Sequence, residues 1–190
     1  MNKSRDRMPA IPHERMTPAQ REAASELASG RRGELAGPFV AALRSPELMR
    51  RLQRLGEYLR YDSAVDPRLR EMAILLTARE WTQEYEWYVH YPIALQVGLK
   101  REIIDAIADA RRPPALAEDE ALIYDFFQEL QRHRSVSDAT YRRAVDTIGE
   151  QAVIDLVATL GYYSTLAMIM NVARTPLPEG RQPALEPLPR

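Results

Sequence analysis

The chain has 190 residues, enough for one domain with a substantial core, and its 26 Lys and Arg nearly balance 27 Asp and Glu. The charges are interspersed, so no basic footprint for nucleic acid or an anionic membrane surface is present. Cysteine is absent, which excludes disulfides, thiol redox chemistry and cysteine-based metal sites.

Residues 1–17 are charged, hold Pro9 and Pro12, and carry no apolar run of the signal-peptide kind. They read as a flexible arm, and cytoplasmic residence is the expectation. A single all-α domain is expected over 18–174, because apolar positions recur at helical spacing and no hairpin signal appears. A first helix should run over 18–29, closed by Gly30, and a short one over 38–44 after Gly37. Ser45 and Asp66, each followed by proline, open helices over 46–61 and 67–80. A helix over 82–97 should stop at Gly98, and one over 100–110 before Pro113-Pro114. Helices over 118–132, 138–148 (capped by Ser137) and 150–173 complete the set. Five prolines between Pro176 and Pro189 make 175–190 a tail that cannot continue a helix.

The stretch 152–173 approaches membrane composition, but Asp155, Gly161, Ser164, Thr165 and Asn171 interrupt it. A central or subunit-buried helix explains it better, so no membrane is expected. So much apolar helix in a chain this size predicts a homo-oligomer.

The segment from Glu80 to Pro92 gathers both tryptophans, three of nine tyrosines and one of three histidines. Glu86 and His90 are spaced i, i+4, so on a helix they share a face and are placed to exchange a proton. A carboxylate beside an imidazole among aromatic rings suits proton transfer near neutral pH, and it also describes an ordinary buried ion pair. Pro92 cannot donate to the Tyr88 carbonyl and should kink the helix there, while Val89, Ile93 and Val97 keep the apolar phase. Glu71 sits one helix upstream among apolar residues; buried, it must be paired, with Arg70 and Arg79 as structural candidates. A short turn near Thr82 makes the two helices antiparallel, which should bring Glu71 and His90 within reach of each other. His13 lies in the charged arm and His133 at a helix end, so neither is a site candidate.

The order Glu71-Met-Ala-Ile-Leu-Leu-Thr-Ala-Arg, Tyr85-Glu86-Trp87-Tyr88-Val89-His90, Ala94, Gly98 and Glu102-Ile-Ile resembles the carboxymuconolactone decarboxylase family. That superfamily includes the alkyl hydroperoxidase D-like proteins, and the resemblance implies their helical-bundle fold. In the thiol branch a Cys-x-x-Cys pair precedes the histidine. Its histidine matches His90 and its upstream glutamate Glu71, but the cysteines fall on Gln83 and Glu86. Peroxidase chemistry of that type is therefore excluded.

The decarboxylase branch implies a cofactor-free, metal-free lyase acting on a small carboxylated lactone or related ring-cleavage product. His90, Glu86 and Glu71 would form its proton relay. Trp81, Tyr85, Tyr162 and Tyr163 would line the substrate pocket, and the relatives imply a dimer or hexamer. Two rival readings stand beside it: a lactone hydrolase or isomerase on the same relay, and a non-catalytic or stress-related protein that kept the fold. Glu71, Glu86 and His90 alone are a weak metal set. A catalytic protein should bring the three to a water-accessible cavity, and a relic should seal them in pairs.

Overall fold

The computed structural model describes residues 6–187, and within them the chain forms eight α-helices and no strand. They are α1 (Pro18–Ser29), α2 (Pro38–Ala42), α3 (Pro46–Tyr61), α4 (Pro67–Glu80), α5 (Glu84–Gln96), α6 (Arg101–Ala108), α7 (Glu118–His133) and α8 (Asp138–Ala173). The all-helical expectation is met, and most starts fall where cap chemistry put them. Thr17 and Gln20 close a capping box on α1, and Asp66 accepts from the Arg68 and Leu69 amides. Ser45 stands at the N-cap of α3 but makes no side-chain cap bond, so Pro46 sets that start.

Helix α2 ends at Ala42, short of the expected 44, and three other boundaries differ for a backbone reason. Thr82 has φ 44°, outside the helical region, so α5 begins later, with the Gln83 side chain accepting from the Tyr85 amide. Ala110 has φ 54°, which ends α6 early. The two helices expected over 138–148 and 150–173 run on as α8, broken only at Gly149, where φ 82° and ψ 158° are open to glycine alone. Helix α5 does continue through Pro92.

Helix α4 is the buried axis. Every residue from Met72 to Arg79 is buried, and the helix packs against α5, α6, α7 and α8. The main core surrounds it, with Leu75, Trp87, Ile104, Phe126 and Leu156 among its members. A second cluster, Leu27, Phe39, Leu43 and Met49, binds α1 and α2 to the start of α3. A third joins α3 and α4 to α8 through Leu59, Ile74, Tyr162, Tyr163, Leu166 and Met170. The candidate site lies where the last two clusters meet.

Helix α8 contains an 18-residue window with mean hydropathy 1.5, and 56% of that window is buried against the other helices. Its outer face exposes Ile154, Val157, Met168 and Val172. The described part of the N-terminal arm lies on the body: the Arg7 amide donates to the Ala173 carbonyl at 2.8 Å, and Ile11 and Met16 pack on the second cluster. In the tail, the Ala184 and Leu185 amides both donate to the Glu84 carboxylate at 2.9 Å, and Leu185 enters the main core. Positions 1–5 of the arm and 188–190 of the tail lie outside the described residues.

Candidate active site

Helices α4 and α5 form the antiparallel pair expected from the turn at Thr82, and their inner faces meet. His90 Nδ1 lies 2.7 Å from Glu71 Oε2, with both side chains buried. Neither Arg70 nor Arg79 pairs with Glu71: Arg70 turns to the Val65 carbonyl, and Nε and Nη1 of Arg79 have no acceptor. Glu71 therefore holds one ring nitrogen and leaves Nε2 as the other, which is how a carboxylate fixes the tautomer and orientation of a working histidine.

Glu86 departs from expectation. It sits at the third position of α5 on the face of His90, yet the two make no hydrogen bond; His90 Nδ1 is held from α4 by Glu71 instead. A glutamate at this position often folds back onto the N-cap amide. Here both carboxyl oxygens are buried without a partner among the described residues, and the residue is 3% exposed. Burial pushes its pKa well above the ordinary carboxylate value. Burial thus favours the neutral form of the carboxyl group next to the histidine.

Glu86 and His90 line a cavity of about 140 Å³. Glu71 stands behind His90 and does not reach it. Tyr85 and Tyr163 line the cavity as expected; the Tyr163 ring meets the His90 ring edge-on at 5.0 Å. Burial raises the pKa of both phenols, with Glu34 the next contribution at Tyr85 and Glu71 at Tyr163. Both stay hydroxyl donors at neutral pH. Gly37, at φ 56°, passes over the Tyr85 ring so closely that a Cβ there would stand 2.6 Å from a ring carbon. That approach lays the chain before α2 along the cavity.

Two expected lining residues fall elsewhere. Trp81 is 37% exposed at the end of α4, where the helix stop turns it outward, and its carbonyl accepts from Asn171. Tyr162 lies behind the cavity wall, where its hydroxyl accepts from Arg32 Nη2 at 3.2 Å; burial, the largest cause, pushes its pKa up to about 12. Its place is support for Arg32. Gln83, one of the two positions matching the thiol-branch cysteines, is a buried cap that donates to Asn171 at 2.8 Å.

Arg32 and Arg60 line the cavity together with Glu34, while Phe39, Val89, Leu166 and Met170 supply apolar surface. None of these was foreseen. Arg32 lies between two glycines in a loop and Arg60 on a polar helix face, so only the tertiary fold marks them. No group of three His, Asp or Glu placed to hold a metal occurs among the described residues.

With this geometry in place, residues 46–125 match the family profile described as "Carboxymuconolactone decarboxylase family". Over those residues the chain is similar to the carboxymuconolactone decarboxylase family. No curated protein matches the chain in sequence. The matched segment carries Arg60, Glu71, Tyr85, Glu86, Val89 and His90. Arg32, Glu34 and Phe39 precede it, and Tyr163, Leu166 and Met170 follow it. The Glu71–His90 pair belongs to the family segment, whereas half of the cavity wall is built by flanking chain.

Proposed function

We propose that the protein is a cofactor-free carbon–carbon lyase acting on a small carboxylated lactone or related ring-cleavage product. The observation that carries this reading is the unpartnered, buried Glu86 carboxyl beside the Glu71-held His90 in a cavity with two arginines. Such a site offers a cationic wall for an anionic substrate and a neutral acid for its carbon.

In the proposed reaction the bond from the ring carbon to its carboxylate breaks and carbon dioxide leaves. The electron pair runs through the ring double bond into the lactone carbonyl, giving a dienolate. A proton from Glu86 or from His90 then closes the new carbon–hydrogen bond, and solvent restores it. Charge thus moves from the carboxylate to the lactone oxygen. An arginine on the departing carboxylate would hold the ground state back, so the productive pose directs the lactone oxygen to Arg32 and Arg60. The carboxylate then faces the apolar side formed by Phe39, Leu166 and Met170. Tyr85 and Tyr163 hydroxyls complete the lining.

Flanking chain shapes half of the wall, so the preferred lactone of this protein differs from that of a compact decarboxylase. The reading also keeps cytoplasmic residence and a homo-oligomer. The exposed apolar stripe on α8 supports the second of these, and light scattering that finds only monomer at micromolar concentration would remove it. The direct test is to incubate the protein with carboxymuconolactone and a series of carboxylated butenolides, following carbon dioxide and the ring by NMR. Release of carbon dioxide with an intact ring is expected. Ring opening without it identifies a hydrolase, and inertness toward the whole series leaves the fold without this chemistry.

A further inference from the structure

Arg79 lies in the last turn of α4, at the opposite end from Glu71. It is 6% exposed, and its Nε and Nη1 find no acceptor among the described residues. A guanidinium cannot lose its proton to escape burial, so it needs a hydrogen-bonding acceptor where it stands. A helix C-terminus favours a cation, but here the nearby carbonyls are occupied. Those of Thr77, Ala78 and Arg79 accept from the amides of Trp81, Gln83 and Thr82 at 3.1, 2.8 and 3.0 Å.

The side chain lines a separate cavity of about 170 Å³ between the C-terminal ends of α4 and α6 and the middle of α7. Arg111, Gln128 and Tyr124 add donors at its rim, and Leu76, Ile107 and Phe127 form an apolar floor. Glu80 also reaches this rim but stays exposed and forms no ion pair. Arg111 is already engaged by Asp109 at 2.7 Å, so the uncompensated charge is that of Arg79. The volume lies below the roughly 300–1,000 Å³ of pockets for drug-sized ligands. We propose that this cavity is a second binding site, for a small oxyanion carrying a carboxylate or phosphate group, anchored by Arg79. The planar donor set of arginine matches such oxygens. The site is independent of the chemistry at His90.

Calorimetric titration of the full chain with inorganic phosphate, sulfate, acetate and succinate, at ionic strength fixed by chloride, tests this. It is run in an R32Q/R60Q background, so that the active-site arginines contribute no signal. Saturable binding of at least one of these anions is expected, the strongest arm telling phosphate-type from carboxylate-type ligands. R79Q should weaken binding by on the order of tenfold or more, since charge-assisted bonds are removed. Q128L, at a half-buried rim position, should weaken it by a smaller factor and decides the matter if R79Q does not fold. Absence of saturable binding in the background protein overturns the proposal, as does unchanged affinity in R79Q or in Q128L. If R79Q instead shifts the oligomer mass while no anion binds, the acceptor belongs to a second copy of the chain, and the small-anion site is refuted.

Discussion

Two buried carboxylates, on helices that both pack against α4, have opposite surroundings. Asp155 on α8 is 6% exposed and fully engaged, accepting from the Tyr58 hydroxyl at 3.1 and 3.0 Å and from the Ala64 amide at 2.8 Å. Glu86 on α5 is buried as deeply and accepts from none of the described residues. Folding alone accounts for the first, since it ties the α3–α4 connection to α8. It does not account for the second, because an unsatisfied buried carboxyl weakens a fold. Under the proposed function, this costly group beside the cavity and the held histidine is kept for a ligand.

The largest effect should come from the histidine that separates these two cases. His90→Ala is expected to lower turnover on the responsive lactone by on the order of 10²- to 10⁴-fold. His90→Gln keeps a polar group opposite Glu71 and should show the kinetic loss with less loss of stability. Full turnover in both would make the pair a packing contact and erase the contrast.

Next comes the satisfied carboxylate. Asp155→Ala strands the Ala64 amide and the Tyr58 hydroxyl and should cost about 2–4 kcal/mol in urea unfolding. Turnover at permissive temperature should change little. A loss below about 0.5 kcal/mol would mean that water replaces the carboxylate, and Asp155 would not be the structural counterpart of Glu86.

Gly56→Ala probes the support of the cavity. A Cβ there would stand 2.0 Å from the Tyr162 hydroxyl and 2.4 Å from Arg32 Nη2. Overpacking should cost about 1–3 kcal/mol and displace Arg32, raising KM more than it lowers kcat. Unaltered KM would separate Arg32 from substrate binding.

The smallest and most diagnostic effect is in pH. Burial raises the folded pKa of Glu86 above its ordinary 4.5. As pH rises past that value the unfolded chain releases this proton while the folded chain keeps it. The unfolded state then binds fewer protons, so stability falls with rising pH until the folded pKa is passed. Glu86→Gln removes this slope. The stability of the wild type relative to Glu86→Gln should therefore decline from pH 4.5 toward neutrality, measured by urea titration at each pH. A relative stability that climbs instead would reveal a charged, paired carboxylate.

Much of the fold was legible because helix boundaries are local. Asp66-Pro67, Ser45-Pro46 and the stop after Gln96 act within one turn of chain, and the structure places α3, α4 and α5 accordingly. The Glu71–His90 contact was legible for a related reason: a short turn between two helices leaves little choice about which faces meet. The misplacements share a cause. Trp81 stands one residue past a helix end, where periodicity no longer says which way a side chain points. The i, i+4 spacing of Glu86 and His90 permits a contact without requiring one, and a competitor on α4 had the ring first.

The sequence by itself determined a cysteine-free, all-helical chain with a glutamate–histidine pair on adjacent helices, because composition, caps and short connections act over a few residues. Only the tertiary structure decided that Glu86 is left without a partner among the described residues, that Arg32 and Arg60 line the same cavity, and that Nε and Nη1 of Arg79 are buried without an acceptor among those residues. Those outcomes depend on the packing of α5, α6, α7 and α8 around α4 and of α2 on α8. A buried charge is satisfied or abandoned by whatever those distant surfaces bring to it.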